Sequence, residues 1–389
     1  MTRSVVIVVH EPGVGGASNA VIRAIPHLAQ AGWRFRFWAP TPSPVADLLR
    51  RRGYEVAGRP RPLRYSWSAL AEPPGRLRRI AALPGYLAEF RDFIARTKPD
   101  LVHANTIVTL PEALAARTTG AATLLHVHEM IPPDARGMIA ARLARLLDGV
   151  AAVSEANAGP LRRHGVAPRV VTAGIAPPPP SAASTEAPWP RAPARAVVGT
   201  LATVSERKGS DLFVSAASAI LRERDDVEFR MVGPLAGGRE EEWAREIRAR
   251  AERAGVRCYA ASDVDSELRE WDLFVLPTRR DPFPLAILEA MAAGVPVVAS
   301  RVDGVPELVD AASGVLVTPE DPEALRSAVA PLLDDPPRRA AMGRAGAARA
   351  AELFTPERHA CELVDAYEAA LEAARNRAPR AGREFTSRR

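Results

Sequence analysis

Short runs of β-branched and other apolar residues alternate along this chain with longer stretches whose apolar positions recur every three to four residues. In the first half the runs are residues 5–9, 34–38, 101–103, 123–127 and 150–153, and the periodic stretches are 17–31, 76–97, 111–117 and 134–147. A brief apolar run bounded by turn formers predicts a buried strand, and the longer period predicts a helix. The pattern breaks at residues 177–193, where Pro, Ala and Ser dominate as in a linker. It then resumes, with strands expected over 197–201, 228–232, 256–259, 273–276, 297–299 and 315–317. Helices are expected over 209–222, 239–254, 284–293, 322–333, 336–353 and 356–375.

Strands alternating with helices predict parallel sheets covered on both faces. The expected fold class is therefore α/β, with two Rossmann-like parallel-sheet domains. They would span residues 1–176 and 194–355 on either side of the 177–193 linker, followed by a helix over 356–376 and a disordered basic tail over 377–389. Ligands of open parallel sheets bind beyond the carboxyl ends of the strands, so a cleft between two such edges is the expected site.

Composition narrows the classes. The 389 residues are 47% hydrophobic and 25% charged, which excludes wholesale disorder. No apolar run reaches the length of a membrane span. Residues 5–9 are too short for the core of a secretion signal, so a buried first strand and a cytoplasmic location are expected. Two cysteines, Cys258 and Cys361, make neither a disulfide framework nor a metal cluster. The net charge of +6 comes almost wholly from arginine, lysine occurring only at Lys98 and Lys208. Such basicity suits phosphates or an anionic membrane surface. It comes without a zinc-finger, helix-turn-helix or aromatic-plus-basic pattern, so no nucleic-acid partner is expected.

The stretch 281–300 is the richest in candidate chemistry. Pro284 is suited to the first turn of a helix, leaving the N–H groups of Leu285 and Ala286 to face an anion with the helix dipole behind them. Asp281 precedes that helix and Glu289 lies along it, an arrangement that fits hydroxyl recognition better than metal binding; a turn residue and a local cap are the plain alternative. Glycines Gly13, Gly15 and Gly16 follow the first strand, but Ser18 stands where a dinucleotide fingerprint needs its third glycine. A tight strand-to-helix turn would need the same glycines. His126, His128 and Glu129 end another strand, with both histidines on one side by alternation, and a third metal ligand is lacking.

The 281–300 segment resembles the nucleotide-sugar motif of the family 4 retaining glycosyltransferases of GT-B fold. In that family an acid is followed eight positions later by Glu in a Glu-Ala-Met-Ala-x-Gly-x-Pro-Val-Val frame, as Asp281 and Glu289 are here. The family's first acid is normally Glu, and Asp303 replaces the first Gly of its Gly-Gly-x-Pro-Glu run. Residues 198–209 are similar to the family's strand, loop and Lys-Gly helix entry; Lys208 matches the family's lysine, while Thr203 replaces its arginine and Arg207 is the nearby substitute. Residues 153–155, 173–174 and 354–357 match further pieces.

The resemblance implies catalytic roles for His128, Lys208, Asp281 and Glu289. It implies that the donor contacts Gly15, Gly16, Arg207, Lys208, Gly233, Phe283, Pro284, Leu285, Ala286 and Glu289, and the acceptor His103, Asn105, His126 and Glu129. The implied reaction moves a sugar, with retention and without metal or cofactor, from a UDP- or GDP-linked donor to a hydroxyl of a glycan, a lipid-linked carrier or a small molecule. The acceptor would be chosen by loops at 40–52, 59–79 and 130–137. From its residues alone, the basic, Trp- and Leu-bearing region 59–79 suits peripheral contact with the inner membrane face, a solvated arginine-rich loop being the plain alternative. A weakly catalytic nucleotide-sugar-binding protein and an epimerase on a similar fold are the alternatives.

Overall fold

The computed structural model describes residues 3–11, 13, 15–62, 76–177, 195–260 and 263–377. The linker from 178, the tail from 378 and most of the 59–79 region therefore lie outside the described residues. The chain forms two units, one of Met1–Val153, Asn157–Val171 and Ala360–Arg389, the other of Ser154–Ala156 and Thr172–His359.

The first unit is built on β1 (Arg3–Val8), α1 (Gly16–Gln30), β2 (Trp33–Trp38), α2 (Pro44–Arg51), β3 (Glu55–Ala57), α3 (Arg76–Thr97), β4 (Leu101–Asn105), α4 (Leu110–Arg117), β5 (Ala122–Val127), α5 (Ala135–Ala144), β6 (Gly149–Ala152), most of α6 (Glu155–Arg163) and β7 (Arg169–Val170). Its seven strands run in the order β3-β2-β1-β4-β5-β6-β7, every pairing parallel. The order reverses between β1 and β4, so the loops after those two strands part and leave a crevice.

The second unit holds β8 (Ala196–Leu201), α7 (Ser210–Leu221), β9 (Val227–Val232), α8 (Glu241–Arg253), β10 (Arg257–Tyr259), α9 (Val264–Leu268), β11 (Leu273–Leu276), α10 (Leu285–Ala292), β12 (Val297–Ser300), α11 (Val305–Leu308), β13 (Gly314–Val317), α12 (Pro322–Leu333), α13 (Pro336–Leu353) and the start of α14 (Pro356–Arg377). The sheet order is β10-β9-β8-β11-β12-β13, again parallel, with the reversal between β8 and β11.

The central strands are buried on both faces, which explains their continuous apolar runs. In the first unit, Trp33, Phe37, Leu28 and Leu124 share a core with Leu363, Tyr367 and Ala370 of α14, so the last helix completes the core begun by the first strand.

Three sequence expectations change. Residues 40–52 are largely helix rather than loop: Ser43 caps α2 by accepting from Ala46 N at 3.2 Å, Pro44 follows it, and Val45, Ala46 and Leu49 are buried. Residues 130–137 run into α5, whose Asp134 cap accepts from the N–H groups of Arg136 and Gly137. Pro284 is the N-cap of α10 rather than its first helical residue.

Candidate functional site

In the second unit, the two loops at the sheet reversal carry the predicted charges. Lys208 follows β8 and Asp281 follows β11, and Lys208 Nζ donates to Asp281 Oδ2. Arg207 Nη1 lies 3.7 Å from the same carboxylate oxygen and donates to the Arg280 carbonyl at 3.1 Å. Asp281 is buried while Arg207 is exposed, so Lys208 is the principal counter-charge.

The backbone around this pair is tightly made. Gly209 caps α7 with φ of +69°, and a Cβ there would sit 1.9 Å from the Pro277 carbonyl oxygen, so only glycine can follow Lys208. The Asp281 N–H donates to Asp303 Oδ2 at 2.8 Å. Asp303 has φ of +42°, the left-handed conformation that aspartate tolerates better than most residues. Burial raises its carboxyl above the usual range.

Beyond Asp281 the chain enters α10 with no side chain capping it. The first N–H groups of a helix lack intrahelical partners, so Leu285 and Ala286 present donors on the positive end of the dipole. Glu289 lies one turn further along the same face, half-buried. Phe283 is buried edge-on against Phe354, ring centroids 5.9 Å apart. Gly233 ends β9 with φ of +146°, where a Cβ would meet the Ala202 carbonyl oxygen at 2.1 Å. Thr203 is exposed.

In the first unit the polar groups collect where β1, β4 and β5 end. His128 Nε2 lies 3.0 Å from Asn105 Oδ1, an acceptor to which Nε2 donates. The rings of His126 and His128 are 4.1 Å apart, as alternation predicts. His103 and His126 are, however, fully enclosed. His103 Nδ1 is 2.9 Å from Tyr367 OH, so both histidines support the site from inside the core instead of lining a pocket.

Glu11, which carries no motif in the sequence, turns back onto α1. It takes hydrogen bonds from Ser18 Oγ at 3.3 Å and from the Gly15 N–H, and burial raises its pKa. The carboxylate that meets the Gly15 N–H in this structure thus belongs to the chain itself.

Glu129 accepts from Ile107 N at 3.0 Å and His128 N at 3.3 Å, while Asn157 Nδ2 donates to its carbonyl at 2.6 Å. It ties the ends of β4 and β5 together. Burial, reinforced by the nearby Glu11 charge, raises its carboxyl from 4.5 to about 7 despite the two backbone donors. A raised carboxyl pKa favours the folded state at low pH, and that contribution fades as pH climbs through 7. Relative to Glu129→Gln, the wild type should thus lose about 2.5 kcal/mol of unfolding free energy between pH 5 and pH 8. Taking the difference cancels the opposite slopes of His10 and His359, whose burial lowers them to about 3 and about 4. Parallel denaturation profiles for the two proteins would refute this.

Among the described residues, no group of three His, Cys, Asp or Glu side chains is placed to hold a metal ion, and no helix is long and apolar enough to cross a membrane.

Known proteins match both units. The profile described as "Glycosyltransferase Family 4" covers residues 14–177, and "Glycosyl transferases group 1" covers residues 193–335. The chain belongs to the family 4 glycosyltransferases.

Within this family, it is 35% identical over 191 residues to the lipopolysaccharide core biosynthesis mannosyltransferase LpsB of Rhizobium meliloti, an alignment covering 46% of this chain and 53% of that one. It is 36% identical over 188 residues to the D-inositol 3-phosphate glycosyltransferase of Segniliparus rotundus, covering 46% and 41%. The chain thus spans about half the length of the curated relatives it matches. HepE of Anabaena, solved with UDP and glucose, superposes with a TM-score of 0.78 over 93% of this chain and 98% of that one at 21% identity. Sucrose-phosphate synthase of Thermosynechococcus elongatus gives 0.76 over 95% and 100%, also at 21%. These likenesses give the GT-B fold.

Proposed function

We propose that the protein transfers a sugar from a nucleoside diphosphate to an acceptor hydroxyl, with retention at the anomeric carbon and without a metal. The observation that carries this reading is the grouping of Lys208, Asp281 and the uncapped start of α10 at one sheet reversal, with Glu289 a turn further on. A diphosphate leaving a sugar gains negative charge, and a fixed ammonium with helix N–H groups is preorganised to receive it. Glu289 is suited to accept hydrogen bonds from ribose hydroxyls. The likeness to HepE, solved with UDP and glucose, supports a UDP-linked donor. A GDP-linked donor has the example of the GDP-mannose-dependent mannosyltransferase of Corynebacterium glutamicum, 35% identical over 153 residues and matched over 36% of this chain and 39% of that one.

On this reading the first unit presents the acceptor beside His128 and Asn105. The relatives include a lipopolysaccharide core mannosyltransferase and a monoacylated phosphatidylinositol monomannoside mannosyltransferase. A lipid-linked or glycan hydroxyl is therefore the proposed acceptor, and a cytoplasmic protein touching the inner membrane face the proposed setting.

Thermal-shift measurements across a panel of UDP- and GDP-sugars test the donor, because a ligand that binds only the folded state raises Tm by mass action. Donor turnover should continue in excess chelator, since Lys208 and α10 supply the charge otherwise given by a divalent cation. Complete loss in EDTA, restored by Mg²⁺, would overturn the metal-independent scheme.

A further inference from the structure

The helix α5 is amphipathic in the wrong direction for a core element. Its buried residues are the small ones, Gly137, Ala140, Ala141 and Ala144. Its large apolar residues face solvent: Ile139 is 53% exposed and Leu143 37%, and Leu146 in the following turn is 50% exposed. Spaced four and three residues apart, these three form one stripe on the side opposite the alanines. The close seat of the helix is built in, because a Cβ on Gly137 would lie 1.9 Å from the Pro132 carbonyl oxygen. A helix made only to fill the core would carry the reverse pattern.

The charges flanking the stripe are of one sign. Arg142 and Arg145 are exposed, and no acidic residue occurs between 135 and 147. Arg136 is also exposed, though it pairs with the Asp134 cap. A protein partner would need a matching acidic and apolar groove. An anionic bilayer offers both requirements over any flat area, taking apolar side chains at the acyl boundary and arginines at the phosphates.

We infer that Ile139, Leu143 and Leu146, with Arg142 and Arg145, form a docking face for an anionic lipid surface. The face lies C-terminal to the 59–79 region first expected to make such contact. Its purpose rests on the lipid-linked acceptor proposed above, whereas its existence does not. Three side chains insert shallowly, so attachment is reversible and needs both components.

Vesicle flotation tests it, using phosphatidylcholine alone and phosphatidylcholine mixed with phosphatidylglycerol. The wild-type protein should float with the mixed vesicles at low salt and leave them at high salt. The triple variant Ile139→Ser, Leu143→Ser, Leu146→Ser and the double variant Arg142→Gln, Arg145→Gln should each lose about tenfold or more in partitioning. Both should keep the wild-type Tm, because the altered positions are exposed. Wild-type protein that ignores mixed vesicles, or a triple variant that floats as well, would overturn the proposal. So would a concentration-dependent dimer that only the triple variant abolishes, since a second copy would then own the face. Donor thermal shifts run alongside separate the two readings: lost flotation with intact donor binding leaves the transferase reading standing, and flotation without donor binding does the converse.

Discussion

Glu112→Ala should lower the stability of the first unit by about 3–5 kcal/mol, the range for removing one partner of a buried ion pair. Arg61 Nε and Nη2 reach Glu112 Oε1 and Oε2 at 2.6 and 2.9 Å, and neither side chain is more than 1% exposed. Tyr86 OH donates to Glu112 Oε1 at 3.0 Å and accepts from Trp38 Nε1 at 2.8 Å, while Arg61 also donates to the Val108 carbonyl. Without the carboxylate, a guanidinium and a phenol lose their acceptor inside the core. The cost falls on function as well as on stability, because Arg61 ties residues 59–62 to the turn at 107–109 that Glu129 holds through the Ile107 N–H. Calorimetry should show the transition of this unit falling by about 10 °C. The double variant Arg61→Met, Glu112→Leu should recover most of the loss, since an apolar pair leaves no charge stranded. A shift below about 2 °C for Glu112→Ala would mean that the pair is dispensable.

Lys208→Ala carries the largest expected effect on activity. The variant removes the ammonium proposed to neutralise the diphosphate, and kcat/KM for the donor should fall at least about tenfold, or about 1.4 kcal/mol of transition-state stabilisation. Lys208 is also the main partner of a buried Asp281, so a modest Tm loss should accompany the kinetic one. Asp281→Asn separates the two effects: it frees Lys208 from its pair while leaving the ammonium in place, and should retain more donor binding than Lys208→Ala. Equal donor affinity in wild type and Lys208→Ala, measured by thermal shift and calorimetry, would remove Lys208 from the site.

The strands were readable because parallel sheets bury both faces, and a short apolar run such as residues 5–9, ending at turn formers, suits a strand with no solvent-facing side. The edge strands β3 and β7, of three and two residues, carry no such run. Residues 40–52 read as a loop because they match no motif, although the Ser43-Pro44 cap is present in the sequence. Lys208 and Asp281 stood out singly, as the rarer basic residue and as part of a spaced motif. That they touch across 73 positions is a property of the sheet order, which no local pattern encodes. The same holds for Arg61 and Glu112, 51 positions apart, and for Arg230, buried within reach of Glu228, Glu267 and Glu270. His103 misled because strand alternation tells which residues share a side but not that Tyr367, from the far end of the chain, covers that side.

The placement of α14 has a consequence for biogenesis. When residues 1–171 leave the ribosome, the groove that Leu363, Tyr367 and Ala370 will fill is still open, and His103 has no phenol to meet. About half the chain, including every strand of the second sheet, must be synthesised before those side chains arrive. The first unit is therefore translated before the second yet closes after it, and during that interval its exposed apolar groove is a site for a chaperone.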